Sequence, residues 1–158
     1  MLAPGPSMFI HVLGVFMRFW IVAALSATIL ATPVFANIGR IKSTTGSAFA
    51  ERAGQRLPLK SGLVIELGDT IVTGSSGRMG MTFIDNSRMA AGPNSRIIIR
   101  TFDFNDTTQR GRFLTEIDKG QVAIVSGLIA RSGPDAMQVK TPKSLFAVRG
   151  ARIVVRVK

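Results

Sequence analysis

The sequence predicts an all-β domain of short strands, rolled or stacked in a solenoid-like way, with a β-sandwich as the alternative. Three observations carry this. Beyond residue 36, short runs with period-two alternation follow one another almost without interruption. Clusters of Gly, Asn, Asp, Ser and Pro separate them, among them "LGD", "GSSG", "DNS", "GPNS" and "SGPD". No window of helical length carries an apolar stripe of helical period.

The first 36 residues stand apart. Phe19–Ala31, "FWIVAALSATILA", is an apolar run preceded by Arg18 and followed by "TPVFA", with small Val34 and Ala36. A cation, an apolar stretch and a small-x-small end are the parts of a secretory signal. Cleavage is expected between Ala36 and Asn37, leaving 37–158 as an exported, periplasmic domain. "MRFWIVAALSATILATPVFA" is a compact signal by itself, so Met17 is the expected start of translation. The alternative is an inner-membrane anchor facing the periplasm, since Phe9–Ala31 has the length of a span. It would place Arg18 near mid-bilayer, at about 2.5–3.5 kcal/mol. Membrane contact is therefore expected only through an uncleaved leader.

Strands are expected at 38–42, 47–51, 63–66, 70–73, 78–84, 88–91, 96–102, 112–117, 121–126, 136–140, 145–149 and 151–157. Each shows alternation or β-branched enrichment and ends on a turn residue. In 78–84, Met79, Met81 and Phe83 share one face, and the phenylalanines of the domain read as core. In 151–157, Ala151, Ile153, Val155 and Val157 point one way; Arg152, Val154, Arg156 and Lys158 point the other. That pattern suits a sheet with one buried and one wet face. Residues 103–111, "DFNDTTQRG", are the most polar stretch and read as an exposed loop.

The chain carries 20 Lys+Arg against 9 Asp+Glu, a net charge of +11. Removing the leader takes away only Arg18, so the basic character belongs to the domain. Anionic partners follow, but an exported protein meets envelope polymers before nucleic acid. Arg152, Arg156 and Lys158 form a candidate basic surface; they equally serve to discourage edge-to-edge strand pairing. With no cysteine, and His11 in the leader, the domain has neither Cys nor His. That excludes Ser-His and Cys-His catalysis and thiolate metal sites. The carboxylates show no spacing of a general acid/base pair. "GSSGRMG" lacks the Gly-Lys-Ser/Thr ending of a phosphate loop. "DFNDTT" lacks the glycine and glutamate of a calcium loop. No cofactor, no metal and no enzymatic activity are expected.

"LGDTIVTGSSGRMGMTFIDNSRMAAGPNSRIIIR" (67–100), "GQVAIVSG" (120–127) and "VKTPKSLFAVRGARIVVRV" (139–157) together resemble the FecR domain, the periplasmic module of iron-dicitrate-type regulators. The family pattern runs Gly-Asp, Thr-Gly, Asp-x-Ser, Gly-Pro-x-Ser, Thr-Pro and Arg-Gly-Thr; here Ala151 replaces the last threonine. The matching positions are Gly68, Asp69, Thr70, Gly92, Pro93, Ser95, Thr141, Pro142, Arg149 and Gly150. Gly68 suits a positive-φ turn, Asp69 a turn cap, and Pro142 extends Thr141. Arg149, beside the apolar Phe146, Ala147 and Val148, is expected to tuck inward against Asp69 or Asp85. The resemblance implies a non-enzymatic interaction or signalling module with an envelope protein partner. With so few residues ahead of the apolar run, no cytoplasmic anti-sigma region is expected. The alternative is a basic protein that binds an envelope polyanion such as peptidoglycan, lipopolysaccharide or polysaccharide.

Overall fold

Alternation becomes strand nearly throughout the computed structural model, which describes residues 37–158. The expected leader, with Met17, Arg18 and Ala36, lies outside the described residues. In chain order the strands are β1 (Asn37–Thr45), β2 (Ala48–Arg52), β3 (Gln55–Pro58), β4 (Val64–Glu66), β5 (Thr70–Thr73) and β6 (Arg78–Phe83). β7 (Arg88–Ala91), β8 (Arg96–Asn105) and β9 (Arg110–Val125) follow. A 3-10 turn (Ile129–Arg131) then leads to β10 (Met137–Lys140), β11 (Leu145–Ala147) and β12 (Arg152–Val157).

The strands make two half-sheets that share β9. The first runs β4-β1-β6-β7-β9-β12 and the second β3-β2-β5-β8-β9-β10-β11. The N-terminal part of β9 pairs with β8 and, in parallel, with β10. Its C-terminal part pairs antiparallel with β7 and β12. Gly120, at φ +96°, stands between the two parts. Only glycine takes that conformation without a Cβ penalty, so the strand passes from one half-sheet to the other there. The result is an all-β, curled sheet folded over its own inner face.

That inner face is the core. Ile38, Ile41, Met79, Met81 and Met89 come from the first half; Ile71, Ile97, Ile99 and Ile117 from the second. Phe83 of β6 meets Phe102 of β8 and Phe113 of β9, with ring centroids 5.4 and 4.6 Å away. Each aromatic pair adds about 0.5–1.5 kcal/mol beyond area burial, so this cluster pins one half to the other.

Three expectations change. First, 112–117 and 121–126 are one strand, because Gly120 kinks the chain without ending its pairing. Second, 103–111 is not a loop throughout. β8 runs to Asn105 and β9 starts at Arg110, so only the exposed tip is a turn, closed by the Thr108 N–H donating to Asn105 Oδ1. Third, β3 went unforeseen, since "QRLP" has a single apolar residue. Among the described residues it pairs only with β2, where Pro58 is tolerated on an edge, and Arg56 covers the ring of Phe49 at 4.7 Å. Phe146 also departs from the core reading, being 41% exposed on edge strand β11.

Candidate functional site

The residues that carry the family pattern form buried hydrogen-bonded turns. Gly68 has φ +90°. Asp69 follows it, 1% exposed, and accepts the Glu66 N–H at 2.9 Å, which caps the turn between β4 and β5. Its carboxylate is held by Arg52 of β2, with Nε to Oδ1 at 2.8 Å and Nη2 to Oδ2 at 2.6 Å. The same guanidinium donates to Glu66 Oε1 at 2.6 Å and to the Val64 carbonyl at 2.9 Å. Arg52 thus ties β2 of the second half to edge strand β4 of the first. The hydrogen bond to Asp69, chiefly, holds its pKa above the ordinary arginine value. Thr70 opens β5 opposite Glu51 and Ile98.

Gly92-Pro93-Asn94-Ser95 is the turn between β7 and β8, with Asn94 at φ +53°. Thr73 Oγ1 donates to the Gly92 carbonyl at 2.7 Å and accepts the Ser95 N–H at 2.9 Å. Ser95 Oγ donates to the Gly92 carbonyl at 2.9 Å and accepts the Gln121 N–H at 3.2 Å, beside the kink of β9. A second turn, Asp85-Asn86-Ser87, is equally closed. Asp85 accepts from the Ser87 N–H and hydroxyl, and Ser87 Oγ accepts the Gly127 N–H at 2.9 Å. These buried polar groups thus find their hydrogen-bond partners within the fold.

The closing pattern differs. Thr141 Oγ1 accepts the Ser144 N–H at 3.1 Å, and Pro142 sits exposed in that turn. Gly150 has φ +53°. Arg149 does not tuck inward. It is exposed, reaches no carboxylate among the described residues, and donates from Nε to the Pro134 carbonyl at 3.4 Å. The reason is local. Leu145, Phe146 and Ala147 are themselves exposed, and Val148 turns into the core, so Arg149 turns out. The inward guanidinium belongs to Arg52. Strand parity carried that signal: Ala48 and Ala50 are buried, and Arg52 is next on the same side of β2.

Charge is divided unevenly between the halves. The described ion pairs gather on the second half and at its Arg52 link: Arg56 and Arg96 with Glu51, Arg96 with Asp118, Arg100 and Lys140 with Glu116. Hydrogen bonding to Arg100, then Lys140, holds Glu116 below its ordinary pKa. The candidate basic residues Arg152, Arg156 and Lys158 are all exposed at β12, the edge of the first half. Arg156 Nη2 donates to Gln121 Oε1 at 3.0 Å. Ile153, Val155 and Val157 pack on the core from the other side of the strand.

A family model described as FecR protein matches residues 69–158, more than half of the chain. The chain belongs to the FecR family. No curated protein and no solved structure matches it. The FecR match opens on Asp69 and takes in the Ser95 turn, the Asp85 turn and the Thr141–Gly150 closing element. It leaves out β1–β4, and with them Arg52. Ala151, where the FecR pattern has threonine, is bound through its backbone, its N–H donating to Ser126 Oγ at 3.0 Å.

Proposed function

We propose that this FecR-family protein is a non-enzymatic interaction and signalling module of the bacterial envelope, periplasmic after cleavage at Ala36–Asn37, that works by docking a protein partner. Membership of the family supports a regulatory role in the envelope. The observation that carries the docking reading is β11. Among the described residues it pairs with β10 alone, and no strand of theirs covers its other edge. Leu145 is 59% and Phe146 41% exposed on it. An open, apolar edge strand is either an aggregation hazard or a place where a partner adds a strand.

A photo-reactive residue placed at Leu145 tests this in living cells. It is expected to crosslink an envelope protein, whereas the same residue at Thr108, on the hairpin tip, gives none. Absence of any crosslink at Leu145 would remove β11 as the docking edge. N-terminal sequencing of the protein from the same periplasmic fraction is expected to begin at Asn37.

A further inference from the structure

We propose that the outer face of the first half-sheet binds an extended, carboxylate-bearing glycan chain. This goes beyond the docking of a protein at β11 and does not rest on it.

The face is built from β1, β6, β7, the C-terminal part of β9 and β12. None of these segments contains Asp or Glu; β4, the remaining strand of this half, carries Glu66, which pairs with Arg52. Arg40, Lys42, Arg78, Arg88, Arg152 and Arg156 are all exposed on them, and none joins the described ion pairs. Edge protection accounts for Arg152 and Arg156 on β12. It does not account for Arg78 and Arg88, whose strands are paired on both sides. Solubility alone does not account for the division either, because Glu51, Glu116 and Asp118 pair with cations on the second half, although Arg110, Arg112 and Lys119 there join none of the described pairs.

Register turns these residues into a shape. Arg40, Thr82, Arg88, Val125 and Arg152 are direct neighbours in one row across five strands. The next row is Ser43, Gly80, Ala90, Ala123 and Val154. Its small side chains leave a shallow trough. Two adjoining hollows of about 400 and 430 Å³ share Gly80, Ala90 and Ala123 as their floor. Arg78, Gln121 and Arg156 border the far side. The trough therefore crosses the strands, with cations on both banks.

The spacing favours a regular polymer. Arg40, Arg88 and Arg152 occupy alternate strands, so their backbones recur at about 10 Å, two interstrand steps. An extended disaccharide with one carboxylate per repeat presents charge on that scale. Ser43, Thr82 and Gln121 offer hydrogen bonds to sugar hydroxyls, and arginine pairs with carboxylates through two N–H groups. The five segments turn no aromatic side chain outward, so the stacking that single-stranded nucleic acid needs is missing. Among the described residues, Val154 and, just past the end of β6, Ile84 are the large exposed apolar side chains here, too little to enter a bilayer.

Anisotropy of a labelled alginate oligosaccharide, a linear uronic-acid chain, titrated with the protein tests the proposal. Saturable binding at low salt is expected, weakening as salt screens the face. Arg88→Glu with Arg152→Glu should weaken it by more than about tenfold. Arg110→Glu with Arg112→Glu changes net charge identically at the β8–β9 hairpin and should alter it by no more than about twofold. Arg88→Gln with Arg152→Gln, a milder pair, should also lose binding while circular dichroism stays native. Equal losses from the two Glu pairs would overturn the site, as would failure to bind alginate. Tighter binding of poly-L-glutamate or of phosphatidylglycerol vesicles would overturn the glycan assignment. Crosslinking at Leu145 should be indifferent to the Arg88 and Arg152 changes, which separates this surface from the protein-docking edge.

Discussion

Arg52 and Arg149 show how one residue type divides into opposite roles. Removing Arg52 leaves Asp69, 1% exposed, without its counter-charge. Breaking a buried pair in this way costs about 3–5 kcal/mol; with Arg52 itself 22% exposed, the lower end applies. Arg149→Ala removes one long bond to a carbonyl at the surface and should shift stability by about 0.5 kcal/mol or less. Urea melts of the two variants should separate clearly, and matching midpoints would show that Asp69 finds water instead. Neighbouring apolar letters suggested that Arg149 pointed inward, yet composition does not assign a side. Parity along the strand does, and it was readable at Ala48, Ala50 and Arg52. The partner of Arg52 was not readable, because Asp69 lies 17 residues away and meets it only through the pairing of β2 with β5. A second residue-scale test concerns Glu116. Its pKa is lowered, first by Arg100. The stability it contributes is present above the ordinary carboxylate pKa of about 4.3 and is lost as pH falls through the lower folded value. Urea midpoints should therefore fall with acidification below about pH 4, and Arg100→Ala should flatten that part of the decline.

At the scale of the element, most strands were legible because alternation survives in them. Met79, Met81 and Phe83 are buried where parity put them. What was hidden lies in the joints. Gly120 reads in sequence as a breaker, and "KGQ" looks like the end of one strand and the start of another. In the fold, pairing continues through it. A Cβ there would stand 2.2 Å from Ser95 Oγ and 2.4 Å from Ser95 Cα, at a φ of +96°. A positive φ costs an L-residue about 1–2 kcal/mol, and overpacking adds about 1–3 kcal/mol. Gly120→Ala should thus destabilise by about 3 kcal/mol, read from a denaturant midpoint. Gly54→Ala, also at positive φ but with open space around it, should suffer the φ penalty alone. If both variants fall equally, the close approach of Ser95 is not what fixes the kink.

Taken as a whole, the molecule is two half-sheets on one core, with the described ion pairs gathered on the second. The total charge was legible in the composition, but its division was not, because it depends on register between strands far apart in sequence. Unfolding should be a single event, since each half lacks an interior strand without β9. Amide exchange at Met81 in the first half and Ile97 in the second should report the same opening free energy. A clear gap between them would mean that one half melts alone. The sharing of β9 also sets the order of events in time. Neither half can close until the chain has been made as far as Val125, and β12 joins later still. Proteins dominated by such distant pairings fold in about milliseconds to seconds. Under the proposed export, that delay leaves the chain uncommitted to its final shape until it has crossed the membrane.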